Sequence, residues 1–122
     1  MAKTILIVDD SASLRQVVGI ALTGAGYDVL EARDGRDALA KLDGRKIHLI
    51  ISDVNMPNMD GLTFLKAAKQ LAAYKFTPVI MLTTEAGADK KAAGQAAGAK
   101  AWVVKPFQPA QMLNAVAKLI LP

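Results

Sequence analysis

Three aspartates and one lysine each stand at the end of a short apolar run: Asp9 and Asp10 after Ile5 to Val8, Asp53 after Leu49 to Ile51, and Lys105 after Trp102 to Val104. If those runs are parallel strands, the charges converge in the crevice outside the strands' carboxyl ends, where ligands of open α/β sheets bind. Carboxylates are the hard oxygen ligands that Mg²⁺ prefers, and a lysine facing them suits the oxygens of a phosphoryl group. The chemistry implied is a metal and a phosphate meeting at one end of a sheet. Taken singly, each residue has a plainer reading. Asp9-Asp10 reads as a solvated turn or a helix cap, Lys105 before Pro106 as a loop lysine, Thr83 as a loop cap, and Asn55 and Gly61 as turn formers. Their common position after strands favours the site.

The elements that must position these residues follow from periodicity. Apolar runs alternate with helical spacing five times along the chain. Ile5 to Val8 reads as a buried strand. Leu14, Val17, Val18, Ala21 and Leu22 then keep the spacing of an amphipathic helix, capped by Ser11 or Ser13 and ended by Gly24 or Gly26. Tyr27 to Ala32 is a second strand, and Asp34-Gly35 turns into a helix with Ala38, Leu39 and Leu42 inward, closed by Asp43-Gly44. Strand three is His48 to Ser52. The loop Met56-Pro57-Asn58-Met59-Asp60-Gly61 leads to a helix with Leu62, Leu65 and Ala68 on one side. Pro78 opens strand four, Val79 to Leu82. Ala88 to Ala97 is helical by alanine content but contains Gly94 and lacks large apolar residues, so it is expected to be the least stable helix. Strand five is Ala101 to Val104, and Pro109 opens a last helix with Met112, Leu113, Val116, Leu119 and Ile120.

Five βα units whose strands are too apolar for a one-sided sheet predict an α/β fold, a parallel sheet with helices on both faces. Right-handed crossovers leave few topologies. The order 2-1-3-4-5, that of flavodoxin-like doubly wound folds, sets strands one and three side by side and brings Asp9 and Asp10 against Asp53.

With 122 residues, 52% of them apolar, the chain is expected to form one domain over residues 1–122, burying roughly two-thirds of its unfolded surface. No apolar run approaches the ~20 residues of a membrane span, and Asp9-Asp10 interrupt the N-terminal run, unlike a signal peptide. A cytosolic protein is expected, and the absence of cysteine fits that compartment and excludes thiolate metal sites. The net charge of +4 beside an acidic site means that the remaining surface is basic. The cations are scattered and not interleaved with aromatics, which argues against nucleic-acid binding.

Asp9-Asp10, Asp53, the run from Asn55 to Gly61, Thr83 and Lys105-Pro106-Phe107 stand in the order and at the spacing of a known family. Over its full length the chain resembles the receiver domain of two-component response regulators, and within that family its single-domain chemotaxis members. The resemblance implies that Asp53 is the phosphoacceptor. It implies that Asp10, Asp53 and the Asn55 carbonyl hold Mg²⁺, with Asp9 binding through water, and that Thr83 and Lys105 hold phosphoryl oxygens. Because an ionised carboxylate needs no general base, the chain is expected to take its phosphoryl group from a histidine kinase or a small donor. It would catalyse its own phosphorylation and dephosphorylation without being an enzyme in the ordinary sense. His48 is then no phosphorelay histidine.

By the same resemblance, Trp102 occupies the place of an aromatic that turns inward on activation, where the chemotaxis members are expected to carry tyrosine. Thr84 stands where most receivers have a smaller residue, and Asn55 with Glu85 implies a short-lived phosphoryl state. With no output domain expected, the output is a protein partner, such as a flagellar motor switch protein. It would meet the face formed by the Ala88 to Ala97 helix, strand five and the last helix. Lys90, Lys91, Lys100 and Lys118 make that face basic. A phosphorelay shuttle or a phosphate sink is the alternative. A metal-dependent phosphatase is disfavoured because Ser11-Ala12-Ser13 follows Asp10 in place of an Asp-x-Asp pattern, and a flavin domain because no phosphate loop follows strand one. A monomer is expected.

Overall fold

The central strands carry apolar side chains on both faces, so they are stable only when covered from both sides, and that requirement sets the architecture. The computed structural model describes residues 2–54, 56–83, 92, 94–105 and 108–120, with the side chain of Thr83 excepted. Strands β1 (Thr4–Val8), β2 (Asp28–Ala32), β3 (Leu49–Asp53), β4 (Val79–Thr83) and β5 (Ala101–Val104) form one parallel sheet in the order β2-β1-β3-β4-β5. Helices α1 (Ala12–Gly24), α2 (Gly35–Lys41) and α3 (Gly61–Gln70) follow the first three strands. Residues 92 and 94–96 belong to a fourth helix, α4, and α5 spans Pro109–Leu119. The expected fold class and strand order are those observed.

Alternation along the strands divides the core. Leu6, Val8, Ile50 and Met81 face α2 and α3, meeting Ala38, Leu42, Phe64, Leu65 and Ala68. Ile5, Ile7, Leu49, Ile51, Ile80 and Leu82 face α1 and α5, meeting Val18, Leu22, Met112 and Val116. The helix starts are fixed by side chains of the expected kind. Ser11, not Ser13, accepts from the Leu14 N–H, Asp34 accepts from Asp37, and Asp60 accepts from Thr63. Pro109 is the first residue of α5.

Several boundaries differ from the expected ones. β2 begins at Asp28, not at Tyr27. β3 runs from Leu49 to Asp53, not from His48 to Ser52, and β4 extends to Thr83. The hydrogen-bond ladder outlasts the apolar run: Ser52 pairs with Met81 and Asp53 with Leu82. Asp53 is therefore the last residue of its strand. Val17, expected on the inner face of α1, is 53% exposed, and Ile20 is 67% exposed. Val18 and Leu22 alone are fully buried there, and Val17 lies ~100° around the helix from Val18. In α3 the buried aromatic is Phe64, which the spacing of Leu62, Leu65 and Ala68 did not single out.

Gly94 has a packing role that composition conceals. A Cβ there would lie 2.4 Å from Cζ3 of Trp102, so the residue that weakens α4 also admits the indole. Residues 88–91, including Lys90 and Lys91, lie outside the described residues.

Candidate functional site

Asp9, immediately after β1, is completely buried and tied down on three sides. Its N–H donates to the Ala32 carbonyl at the end of β2 (3.1 Å), and its own carbonyl accepts from the Arg15 guanidinium at 2.6 Å. Its Oδ1 accepts from the Ser11 N–H at 2.8 Å, fixing the turn into α1. Asp10 is exposed. Asp53, only 6% exposed, ends the neighbouring strand, and its Oδ1 accepts from the Val54 N–H at 2.8 Å.

Lys105, just after β5, reaches across β4 to both carboxylates. Its Nζ lies 3.0 Å from Asp9 Oδ2 and 3.5 Å from Asp53 Oδ2. One carboxylate oxygen each from Asp9, Asp10 and Asp53 lies within 4.8 Å of the others. Burial raises the Asp53 carboxyl above its usual range, and the charge of Asp9 pushes the same way, against Lys105 and the Val54 N–H. A single ammonium thus leaves the carboxylate cluster under-neutralised. Three oxygen donors and a surplus of two negative charges fit a divalent hard cation.

The loop after β3 is shaped to the acceptor. Gly61 N–H donates to the Val54 carbonyl at 2.8 Å, and a Cβ on Gly61 would lie 2.0 Å from the Asp53 carbonyl oxygen, so no side chain fits. Ser52 Oγ, fully buried, donates to that same carbonyl. Asn58, with φ of 68°, donates from Nδ2 to Asp34 Oδ2 at 2.8 Å. Met59 covers Gly35, where a Cβ would meet its Cγ at 2.8 Å. The loop is thereby clipped to the start of α2. The hydrogen bonds from Asp37 and Asn58 hold Asp34 below the usual carboxylate range.

Trp102, on β5, is partly buried against Gly94, and its Nε1 is buried with no acceptor among the described residues. Of the expected site residues, the structure brings together Asp9, Asp10, Asp53 and Lys105. Thr83 ends β4 opposite Val104, the neighbour of Lys105. Asn55, Thr84, Glu85, Pro106 and Phe107 lie outside the described residues. Sequence reasoning missed Arg15, Ser52 and the Asn58–Asp34 clip. Asp34 with Asp37 three residues on does carry a helix-start signal, but nothing local to Arg15 or Asn58 names its partner.

The chain matches the response regulator receiver domain over residues 5–117. It is 39% identical over 119 residues to the chemotaxis protein CheY1 of Helicobacter pylori, covering 96% of this chain and 95% of that one. It is 37% identical over 112 residues to protein PilG of Pseudomonas aeruginosa, covering 92% and 83%. Among solved structures, chemotaxis protein CheY4 of Vibrio cholerae superposes with a TM-score of 0.94 at 48% identity, covering 98% of this chain and 100% of that one. A response regulator of Chloroflexus aurantiacus gives 0.92 at 34% identity, covering 98% of each. The order β2-β1-β3-β4-β5 is itself the one for which CheY serves as an example among doubly wound folds. The sheet order agrees with these relationships, and the chain belongs to the response regulator receiver domain family.

Proposed function

We propose that this protein is a phosphorylation-activated switch in which Asp53 accepts a phosphoryl group from a chemotaxis-type histidine kinase. The observation that carries the reading is the triangle of Asp9, Asp53 and Lys105, with Lys105 Nζ at 3.0 and 3.5 Å from the two carboxylates. Asp53 Oδ1 is engaged by the Val54 N–H, which orients the carboxylate and leaves Oδ2 as the attacking atom. That oxygen bonds to phosphorus as the bond from phosphorus to the donor nitrogen breaks, giving an acyl phosphate. Lys105 then turns from the ground-state pairs to neutralise charge on the transferred group, where a cation in a partly dry site acts more strongly than in water. Thr83 holds a second phosphoryl oxygen.

Asp9, Asp10, Asp53 and the Asn55 carbonyl would hold Mg²⁺, which when bound neutralises the carboxylates and the phosphoryl oxygens together. Asp9, anchored at its backbone by Ala32 and Arg15, keeps the cluster in place. Water later hydrolyses the acyl phosphate, and Thr84 and Glu85, which follow the last residue of β4 in the sequence, would set its access.

Activation would be read at Trp102. Its indole lies against Gly94, on the face that α4 and β5 share, and its Nε1 is buried with no acceptor among the described residues. The face of α4, β5 and α5 would then bind a protein target, with a flagellar motor switch protein as the choice that the similarity to CheY1 and CheY4 supports. Acetyl phosphate with Mg²⁺ should change Trp102 emission in the wild type and not in Asp53→Asn. A response of equal size in both would refute coupling between acceptor and indole.

A further inference from the structure

The end of the sheet opposite Asp53 carries a second concentration of charge, of the other sign. Lys3, Lys46 and His48 line a shallow depression beneath the starts of β1 and β3, walled by Phe76 and Pro78. On the far side of Phe76, a second depression is lined by Lys69, Lys75 and Lys100 with the small residues 96–98. Among the described residues no carboxylate lines either one. Asp43, at the same end, is taken by a two-pronged pair with Arg45 at 2.9 Å. Five-residue strands put roughly 16 Å between this end and the aspartates.

Phe76 separates the two depressions and is 88% exposed. A lone exposed ring on a surface needs no explanation, but the backbone that carries this one is held in place. The Thr77 N–H donates to the Tyr74 carbonyl at 3.1 Å, and Lys69 Nζ donates to the carbonyls of Lys75 and Thr77. Tyr74 is in turn buried, donating from its hydroxyl to the Arg45 carbonyl at 2.7 Å and accepting from the Gly44 N–H at 2.9 Å. Lys75 Nζ stands 5.7 Å from the ring centroid. His48 is also fixed: its Nδ1 accepts from the Thr4 N–H, so the proton of the neutral ring is on Nε2.

We propose that this end of the molecule docks an acidic segment of a partner protein, packing an apolar side chain on Phe76 between carboxylates held by Lys3, Lys46 and His48 on one side and by Lys75 and Lys100 on the other. An aromatic carried on a fixed backbone and ringed by cations has only its own side chain to order on binding, which limits the entropy cost of an interface anchor. Two concavities divided by a ridge suit a chain that dips into both, whereas a flat lipid surface reaches only the ridge. Because the site lies at the far end of the strands from Asp53, binding is independent of phosphorylation, unlike that of the output face.

The test is titration of the isotope-labelled full chain with a capped peptide of two glutamates on each side of one leucine, followed by amide chemical shifts. Shifts gathered at Lys46, His48, Thr77 and Lys100, weakening with salt, are expected, with equal affinity in the phosphorylated and unphosphorylated protein. Phe76→Ser and, separately, Lys46→Glu should each weaken binding about tenfold, while their melting curves and acetyl phosphate labelling stay those of the wild type. Failure of the peptide to bind, shifts centred elsewhere, or unchanged affinity in both variants would overturn the proposal. So would binding to phosphatidylglycerol vesicles but not to the peptide, which would assign the surface to a membrane.

Discussion

At the scale of single residues, two glycines carry requirements that no larger side chain meets. A methyl group on Gly61 would intrude on the Asp53 carbonyl at 2.0 Å, a backbone atom with nowhere to go. Gly61→Ala should therefore lower stability by about 3 kcal/mol or more and slow phosphorylation, as read by urea unfolding and labelling rate. Gly94→Ala sets two effects against each other. Helix propensity gains about 1 kcal/mol, but overpacking against the Trp102 ring costs about 1–3 kcal/mol. The clash should prevail, and a red-shifted tryptophan emission would show the indole pushed into water. Asp53 supplies a third prediction. Its carboxyl titrates above the usual range because of burial and Asp9, so protons compete with Mg²⁺ at a higher pH than they do at an ordinary carboxylate. Calorimetry should find Mg²⁺ affinity falling as the solution is acidified through mildly acidic pH, and Asp53→Asn should flatten that dependence.

At the scale of elements, His48 joins the start of β3 to β1, its Nδ1 accepting from the Thr4 N–H at 2.9 Å while its own N–H donates to the Thr4 carbonyl at 2.8 Å. Burial, then the charges of Lys3 and Lys46, hold its pKa below the ordinary value. The unfolded chain therefore binds the proton more readily, and the His48 contribution is complete above ~6.5 and lost as pH falls through the lower folded value. Denaturant unfolding should show stability declining over that window, and His48→Gln should reduce the slope. The central strands β1, β3 and β4 were legible because residues buried on both faces leave uninterrupted apolar runs. The first three helix starts were legible because Ser11, Asp34 and Asp60 are caps by chemistry as well as by position. Strand ends were not, because hydropathy stops at Ile51 while the ladder continues through Ser52 and Asp53. Val17 misled for a related reason: α1 fully buries only the line through Val18 and Leu22, so an apolar residue beside that line stays in water.

At the scale of the whole molecule, topology brings together charges that sequence separates. Asp9 and Lys105 stand 96 positions apart and meet at 3.0 Å because β1 and β5 flank β3 and β4 in a parallel sheet. That convergence was legible because each charge ends an apolar run. The supporting contacts were not: the pairing of Arg15 with the Asp9 carbonyl, or of Asn58 with Asp34, depends on where a helix and a loop come to rest after folding. The central claim is that this convergent end takes up a phosphoryl group at Asp53. Intact mass spectrometry with peptide mapping, after incubation with acetyl phosphate and Mg²⁺, tests it most directly. One phosphoryl adduct, mapped to Asp53, absent in Asp53→Asn and prevented by removal of the metal, is the predicted result. An adduct that persists in Asp53→Asn, or one that forms as readily without Mg²⁺, would contradict it.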